Sequence, residues 1–153
     1  METILHQTFK DNRGSYTPVP LNILDMNWTQ CSISVNDKAF TFRGLHYQTA
    51  PPQTKYVKVV KGLIVDIIVD LETKEVDYVM VGENEAVFIP NTKAHGFLTL
   101  SDDTVVVYLV EGDYNPSSEH SLVWSDNEEV NQIIDSFVGN GKITISEKDQ
   151  MGK

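Results

Sequence analysis

Between residues 29 and 124 the chain is a succession of short runs, apolar or alternating apolar with polar, separated by residues that favour turns. The clearest are 40–48, 55–60, 63–70, 76–81, 86–89, 96–100, 104–110 and 121–124. A period of two sends successive side chains to opposite faces of a strand, so these runs predict about eight β-strands and an all-β, jelly-roll β-barrel. The period changes once, near the end. Val130, Ile133, Ile134 and Phe137 recur at helical spacing, Ser125 and Glu128 have the spacing of a capping box, and Gly139 is placed to stop the run. One C-terminal amphipathic helix over 125–139 is therefore predicted, with its apolar stripe packed on the outside of the barrel. In the tail, 140–153, the stretch 142–149 alternates enough to predict an extended strand. Residues 1–28 carry a sparse apolar pattern and form an N-terminal arm. No repeat or linker divides the chain, and 1–153 is expected to fold as one domain around the barrel at 29–124.

Composition narrows the function. A chain of 153 residues, 41% hydrophobic and 22% charged, has the make-up of a soluble globule, and at this length it buries roughly 70% of its unfolded surface. No run approaches the ~18 apolar residues of a membrane span. Met1-Glu2-Thr3 lacks the basic start of a signal peptide, so a cytoplasmic protein is expected. The single cysteine, Cys31, has no disulfide partner and is expected as a small buried apolar residue. A formal charge of -10 repels a phosphate backbone, which argues against nucleic acid as a partner. Any anionic ligand must be met by local cations. The candidates are Arg13 and Arg43, the only arginines, with Lys55 and Lys58.

Reactive side chains concentrate in Arg43-Gly44-Leu45-His46-Tyr47-Gln48 and in Lys55-Tyr56-Val57-Lys58. A two-residue hairpin at Lys61-Gly62 would set Val60 opposite Leu63 and Lys55 opposite Ile68, making Lys55 and Asp66 diagonal neighbours on the face that carries Val57, Val59, Ile64 and Ile68. An ammonium and a carboxylate on an apolar face need each other. The opposite assignment, with Tyr56, Lys58 and Val60 inward, leaves Lys58 in the same difficulty, and both stay open. Regular alternation puts Arg43 and His46 on opposite faces; a bulge at Gly44 would turn both into one cavity. His95 and Tyr108 each have a structural reading as hydrogen-bonded or core residues, Asp149 lies in a tail that is ordinarily solvated, and His6 and His120 are expected at the surface. Metal ligation needs three good ligands, but the position two after His46 is Gln48 and His95 is isolated, so no metal is expected.

These segments resemble the dTDP-4-dehydrorhamnose 3,5-epimerase family of metal-independent cupins. The resemblance is carried by Asp11-Asn12-Arg13-Gly14, residues 43–48, Gln53-Thr54-Lys55, Val65-Asp66, Ala94-His95-Gly96-Phe97, Tyr108, Tyr114-Asn115-Pro116, Trp124 and Ser146-Glu147-Lys148-Asp149. It implies a cupin barrel that inverts C3 and/or C5 of a 4-keto-6-deoxy nucleotide-diphosphate sugar through an enolate, with no cofactor. His46 is then the base, Asp149 folds back to orient it, Tyr108 is the acid on the opposite face, and Lys55, held by Asp66, stabilises the enolate oxygen. Arg43, Gln48 and His95 position the substrate, Tyr114 lies near the nucleotide, and Arg13 from the arm of a second subunit in a homodimer binds pyrophosphate. Where the family carries an acidic residue in this arm, the chain has Pro18. Two alternatives stand beside this reading: a single-centre epimerase acting on a sugar with another nucleotide, and a non-catalytic sugar-binding cupin that keeps the pocket.

Overall fold

The computed structural model describes residues 1–22 and 25–152; positions 23, 24 and 153, parts of the expected arm and tail, lie outside the described residues. The strands are β1 (Ile4–Leu5), β2 (Phe9–Asp11), β3 (Gly14–Tyr16), β4 (Gln30–Asn36), β5 (Thr41–Gln48), β6 (Thr54–Lys61), β7 (Leu63–Asp70), β8 (Val76–Gly82), β9 (Glu85–Ile89), β10 (Lys93–Thr99), β11 (Thr104–Glu111), β12 (Glu119–Ser121) and β13 (Thr144–Ile145), with helices α1 (Glu128–Val138) and α2 (Glu147–Met151). One sheet has the order β1-β9-β6-β11-β4 and the other β12-β5-β10-β7-β8, with β13 added to β5. This is the jelly roll that the periodicity predicts. No described helix is long and apolar enough to cross a membrane.

Strand β7 explains why two sheets form. Its run Leu-Ile-Val-Asp-Ile-Ile-Val-Asp is apolar on both faces, the pattern of a strand buried on both sides. Ile64 and Ile68 face inward with Val57, Val59, Val87, Phe97 and Val106, filling the space between the sheets. Val65, Ile67 and Val69 face outward and join Phe42, Leu45, Ala94 and Leu98 beneath Val130 and Ile134 of α1. The helix thus covers the outer face of the second sheet, as its stripe predicts. Its cap is one residue pair away from the expected one: Asn127, not Ser125, accepts from the Val130 N–H, because a 3₁₀ turn occupies Trp124–Asp126. Gly139 ends the helix at φ +62°, in the left-handed region where glycine is unstrained.

Other expectations are corrected. Strands β6 and β7 do not pair across Lys61-Gly62: β6 lies between β9 and β11, and β7 between β8 and β10, so that turn is a corner between sheets. Of the two face assignments that alternation leaves open, the structure has the one with Val57, Val59, Ile64 and Ile68 inward, and the expected pairing of the two strands is replaced. The run 121–124 is strand only as far as Ser121. The tail pairs with Thr41 and Phe42 for two residues and then turns into α2. Strand β4 is absent from the predicted runs because its polarity is inverted, with Ser34 and Asn36 buried inside while Ile33 and Val35 are 67% and 60% exposed. Cys31, on the same outer side, is exposed rather than buried. His6 is buried, with its Nε2 bonded to the Tyr56 hydroxyl on the outer face of the first sheet. Burial there pushes the Tyr56 phenol up to about 12.

Because Ile134 is 1% exposed at the centre of the cluster under α1, Ile134→Ala is expected to destabilise the protein by about 2–5 kcal/mol. Urea denaturation measures this loss.

Candidate active site

One cavity of about 330 Å³ opens between the sheets, lined among others by Arg43, His46, Lys55, His95, Tyr108 and Asp149. Four strands supply the first five. The arrangement depends on a bulge in β5: His46 lies opposite His95 and Arg43 opposite Phe97, so three steps along β5 match two along β10. Gly44 sits in the bulge at φ +129°, and a Cβ there would stand 2.5 Å from the Cα of Gly96. Only glycine permits that approach. The extra residue brings Arg43 and His46 to the same cavity, the outcome expected of a bulged strand.

The bulge also leaves the Gly44 N–H free of the ladder. It donates to Asp149 Oδ2 at 3.1 Å, while Asp149 Oδ1 lies 2.6 Å from His46 Nε2. Ser146 caps α2 by accepting from the Asp149 N–H, which fixes the carboxylate's direction. Burial alone would raise the Asp149 carboxyl, but the His46 bond and charge, the Gly44 N–H and Lys148 together hold it below its ordinary range. With Nε2 engaged, Nδ1 is the imidazole nitrogen left for proton chemistry.

Tyr108 donates to Ser34 Oγ at 2.8 Å and packs against Phe97. Burial raises its phenol, against the opposing pull of Ser34 and Arg43, and so keeps it protonated. Lys55 is drawn down by burial, with the charges of Glu119 and Asp66 acting in the opposite direction. The expected Lys55–Asp66 pair is replaced. Asp66, 0% exposed, bonds through Oδ2 to His95 Nε2 at 2.7 Å, because β10 rather than β6 is the neighbour of β7. Burial raises Asp66, and His95 and Lys55 pull it back. The Asp66 Oδ1 atom is buried without a hydrogen-bond partner. An ammonium held in this low-dielectric hollow near two carboxylates is well suited to meet a developing oxyanion.

Several predicted residues lie elsewhere. Gln48 uses both amide N–H groups on the carbonyls of Pro51 and Asp113 and accepts from the Asn115 N–H, so it braces the loops and has no donor left for a ligand. Arg13, on the β2–β3 hairpin, is bound to the Asp11 carboxylate and lines a separate cavity. Tyr114 is exposed, its hydroxyl donating to Glu119. Lys58 points to the outer face of the first sheet, beside Tyr56 and Leu109. Conversely, sequence reasoning missed Asn36, whose Oδ1 accepts from Arg43 Nε at 2.7 Å, and Ser34; both sit in the inverted strand β4. It also missed Lys148 and Glu119, 2.9 Å apart near the cavity mouth. The Ser146-x-x-Asp149 spacing was the available signal that a helix starts there.

Comparison with known proteins bears on this arrangement. The family model described as dTDP-4-dehydrorhamnose 3,5-epimerase matches residues 2–153. The chain is similar to the protein of that name from Mycobacterium tuberculosis, 35% identical over 111 residues that cover 67% of this chain and 54% of the relative. It thus spans about half the length of that relative. Among solved structures, the Bacillus anthracis dTDP-4-dehydrorhamnose 3,5-epimerase with TDP and PPi bound superposes with a TM-score of 0.80 at 28% identity, covering 97% of this chain and 90% of that one. The Legionella pneumophila dTDP-6-deoxy-D-glucose-3,5-epimerase, in complex with dTDP-4-keto-L-rhamnose, gives 0.84 at 25% identity, covering 99% and 85%.

The lowered Asp149 carboxyl contributes stability above its ordinary range, and that contribution disappears as pH falls through the lowered value. The gap in unfolding free energy between wild type and Asp149→Asn is expected to be widest above about pH 5 and to narrow progressively as pH falls from about 4 through the lowered value. Urea titrations across this window measure it.

Proposed function

The chain belongs to the dTDP-4-dehydrorhamnose 3,5-epimerase family, and we propose that it epimerises a 4-keto-6-deoxy sugar carried on a nucleoside diphosphate, at a carbon beside the C4 ketone. The observation that carries this reading is the gathering of a carboxylate-backed imidazole, a protonated phenol and an ammonium around one cavity. A proton next to a ketone becomes removable when the oxygen is stabilised as it gains charge, and a positioned donor in such a site contributes roughly 3–4 kcal/mol.

In the proposed reaction His46 Nδ1 takes the proton from C5 or C3, and the C–H electron pair moves into the ring carbon–C4 bond as the C4 oxygen becomes an enolate. Asp149 supports the imidazolium through Nε2. The Lys55 ammonium offsets the oxyanion's charge. Tyr108 then delivers its phenolic proton to the opposite face of the same carbon, which inverts it, and solvent restores both groups. Acid–base groups placed this way each contribute about 10²–10⁴-fold. Arg43, tethered to Asn36, and His95, tethered to Asp66, orient the sugar and its first phosphate. The carrier named for the Legionella complex, dTDP, is the first to test.

We further propose a homodimer. On the outer face of the first sheet Ile33, Val35 and Val60 are each more than half exposed, which is a costly apolar surface for a lone chain. Arg13 does not line the His46 cavity of the single chain but a different hollow. A second subunit covering that face and lending its arm meets both conditions.

Incubation of dTDP-4-keto-6-deoxyglucose in deuterium oxide is expected to introduce label at C5, C3 or both, read by NMR and mass spectrometry. Absence of label with dTDP, CDP and GDP carriers alike contradicts the reading. His46→Ala is expected to abolish exchange with the fold intact. Tyr108→Phe is expected to retain wash-in of label through His46 while forming inverted product at least about 100-fold more slowly. Light scattering is expected to report twice the mass of the 17.2 kDa chain; the monomer mass removes the dimer.

A further inference from the structure

His46 on β5, Lys55 on β6 and His95 on β10 line the main cavity, and the same three side chains also line a second, smaller hollow. The positions on either side of them show how the two spaces are related. Along β10 the main cavity takes Phe97 and His95 while the hollow takes His95 and Lys93; along β5 the main cavity takes Arg43 and His46 while the hollow takes His46 and Gln48. His46 and His95 lie opposite each other in the ladder. The two spaces therefore follow one another along the strands, with the two imidazoles and the ammonium as the partition between them.

The hollow is narrow and polar. Its volume is about 10 Å³, and a space of roughly 10–15 Å³ holds one water when two to four polar groups face it. A sugar ring does not fit. Besides the partition, its walls include Gln53, just before β6, Asn91, in the turn between β9 and β10, and Lys93. Gln53 Nε2 donates to the Gly112 carbonyl at 3.0 Å, which leaves its Oε1 to accept. Lys93 is held by Asp70. Asn91 is exposed, so the hollow reaches the surface at the end of the barrel away from Arg43 and Tyr108.

We propose that this hollow is a water site and the route by which His46 exchanges its proton with solvent while the sugar occupies the main cavity. In the proposed reaction the bound sugar separates the imidazole from bulk water on one side. The hollow opens on the other. The exchange balances without a further reactant: the imidazolium N–H bond breaks, the proton passes to water, and water returns a proton or deuteron to the same nitrogen with no net change of charge. Gln53 and Asn91 act by holding the water and touch no reacting atom. The catalytic consequence rests on the reading of His46 as the base; the water site does not.

Two measurements on the full chain test this. A high-resolution crystal structure of the wild type is expected to place a water within hydrogen-bond distance of the Gln53 or Asn91 amide and of His46, Lys55 or His95, and the double variant Gln53→Met, Asn91→Leu is expected to lose it. In Tyr108→Phe, where inversion is slowed and label enters through His46, adding that pair of substitutions is expected to slow the wash-in of deuterium by about fivefold to tenfold. With Tyr108 in place, the same pair is expected to leave kcat for inversion within about twofold, since departing product readmits water to the main cavity. Gln53→Glu, which gives up the bond to Gly112 as the methionine does but keeps an acceptor, is expected to preserve the faster wash-in. Unchanged wash-in with the double substitution, or wash-in and inversion falling by one common factor, overturns the route. A wild-type crystal structure with no water there overturns the water site. A wild type that holds the water and labels no 4-keto sugar overturns the proposed reaction and leaves the water site standing.

Discussion

Two backbones come together where Gly44 of β5 meets Gly96 of β10, with no room for a side chain on either, and the rest of the site follows from that contact. The close approach accommodates the extra residue in β5, the bulge brings Arg43 and His46 to one side, and the N–H released from the ladder receives Asp149. One local departure from regular pairing thus aims the imidazole, brings in a guanidinium and anchors the carboxylate behind the imidazole. Stability is supplied elsewhere. The two apolar clusters on either side of β7 hold the sheets, and they leave the mouth of the barrel free to be polar.

Electrostatics inside the cavity are organised as pairs. His46 has Asp149, His95 has Asp66, Arg43 has Asn36, and Tyr108 has Ser34. Lys55 is the one without such a partner: among the described residues its side chain makes neither an ion pair nor a hydrogen bond, although Asp66 and Glu119 are close enough to be felt. A cation left without a contact partner in a partly dry hollow is poorly solvated at rest and well placed for an oxygen that gains charge. In a chain of net charge -10 this local reversal of sign also makes the cavity a favourable place for an anionic ligand.

The legible parts of the sequence were those where polarity follows burial. Runs 55–60 and 63–70 disclose their strands, though alternation leaves two choices of inner face, and Val130, Ile133, Ile134 and Phe137 disclose the helix, because each buries an apolar stripe. Strand β4 breaks that rule: Ser34 and Asn36 point inward to serve Tyr108 and Arg43, while Ile33 and Val35 point out. A polar site inside and an apolar face outside reverse the signal that pattern reading relies on. The Lys61-Gly62 corner is locally indistinguishable from a hairpin, and only long-range pairing assigns β7 to β10, which is why Asp66 takes His95 rather than Lys55. The glycine in β5 was readable as a bulge, since few other roles suit glycine within a strand. Asp149 was readable from family resemblance alone. Nothing in the spacing of a tail residue foretells a contact with a strand 103 positions away.

The Gly44 bulge is the central claim, and the rate of carbon–hydrogen exchange on a 4-keto-6-deoxy nucleotide sugar in Gly44→Ala tests it most directly. A methyl group at that position must push β5 away from β10 and shift Arg43, His46 and the Asp149 anchor together. Displacement of about 1 Å at a reacting centre costs on the order of 100-fold in rate, so exchange is predicted to fall by at least that much. Exchange at the wild-type rate in Gly44→Ala would contradict the account.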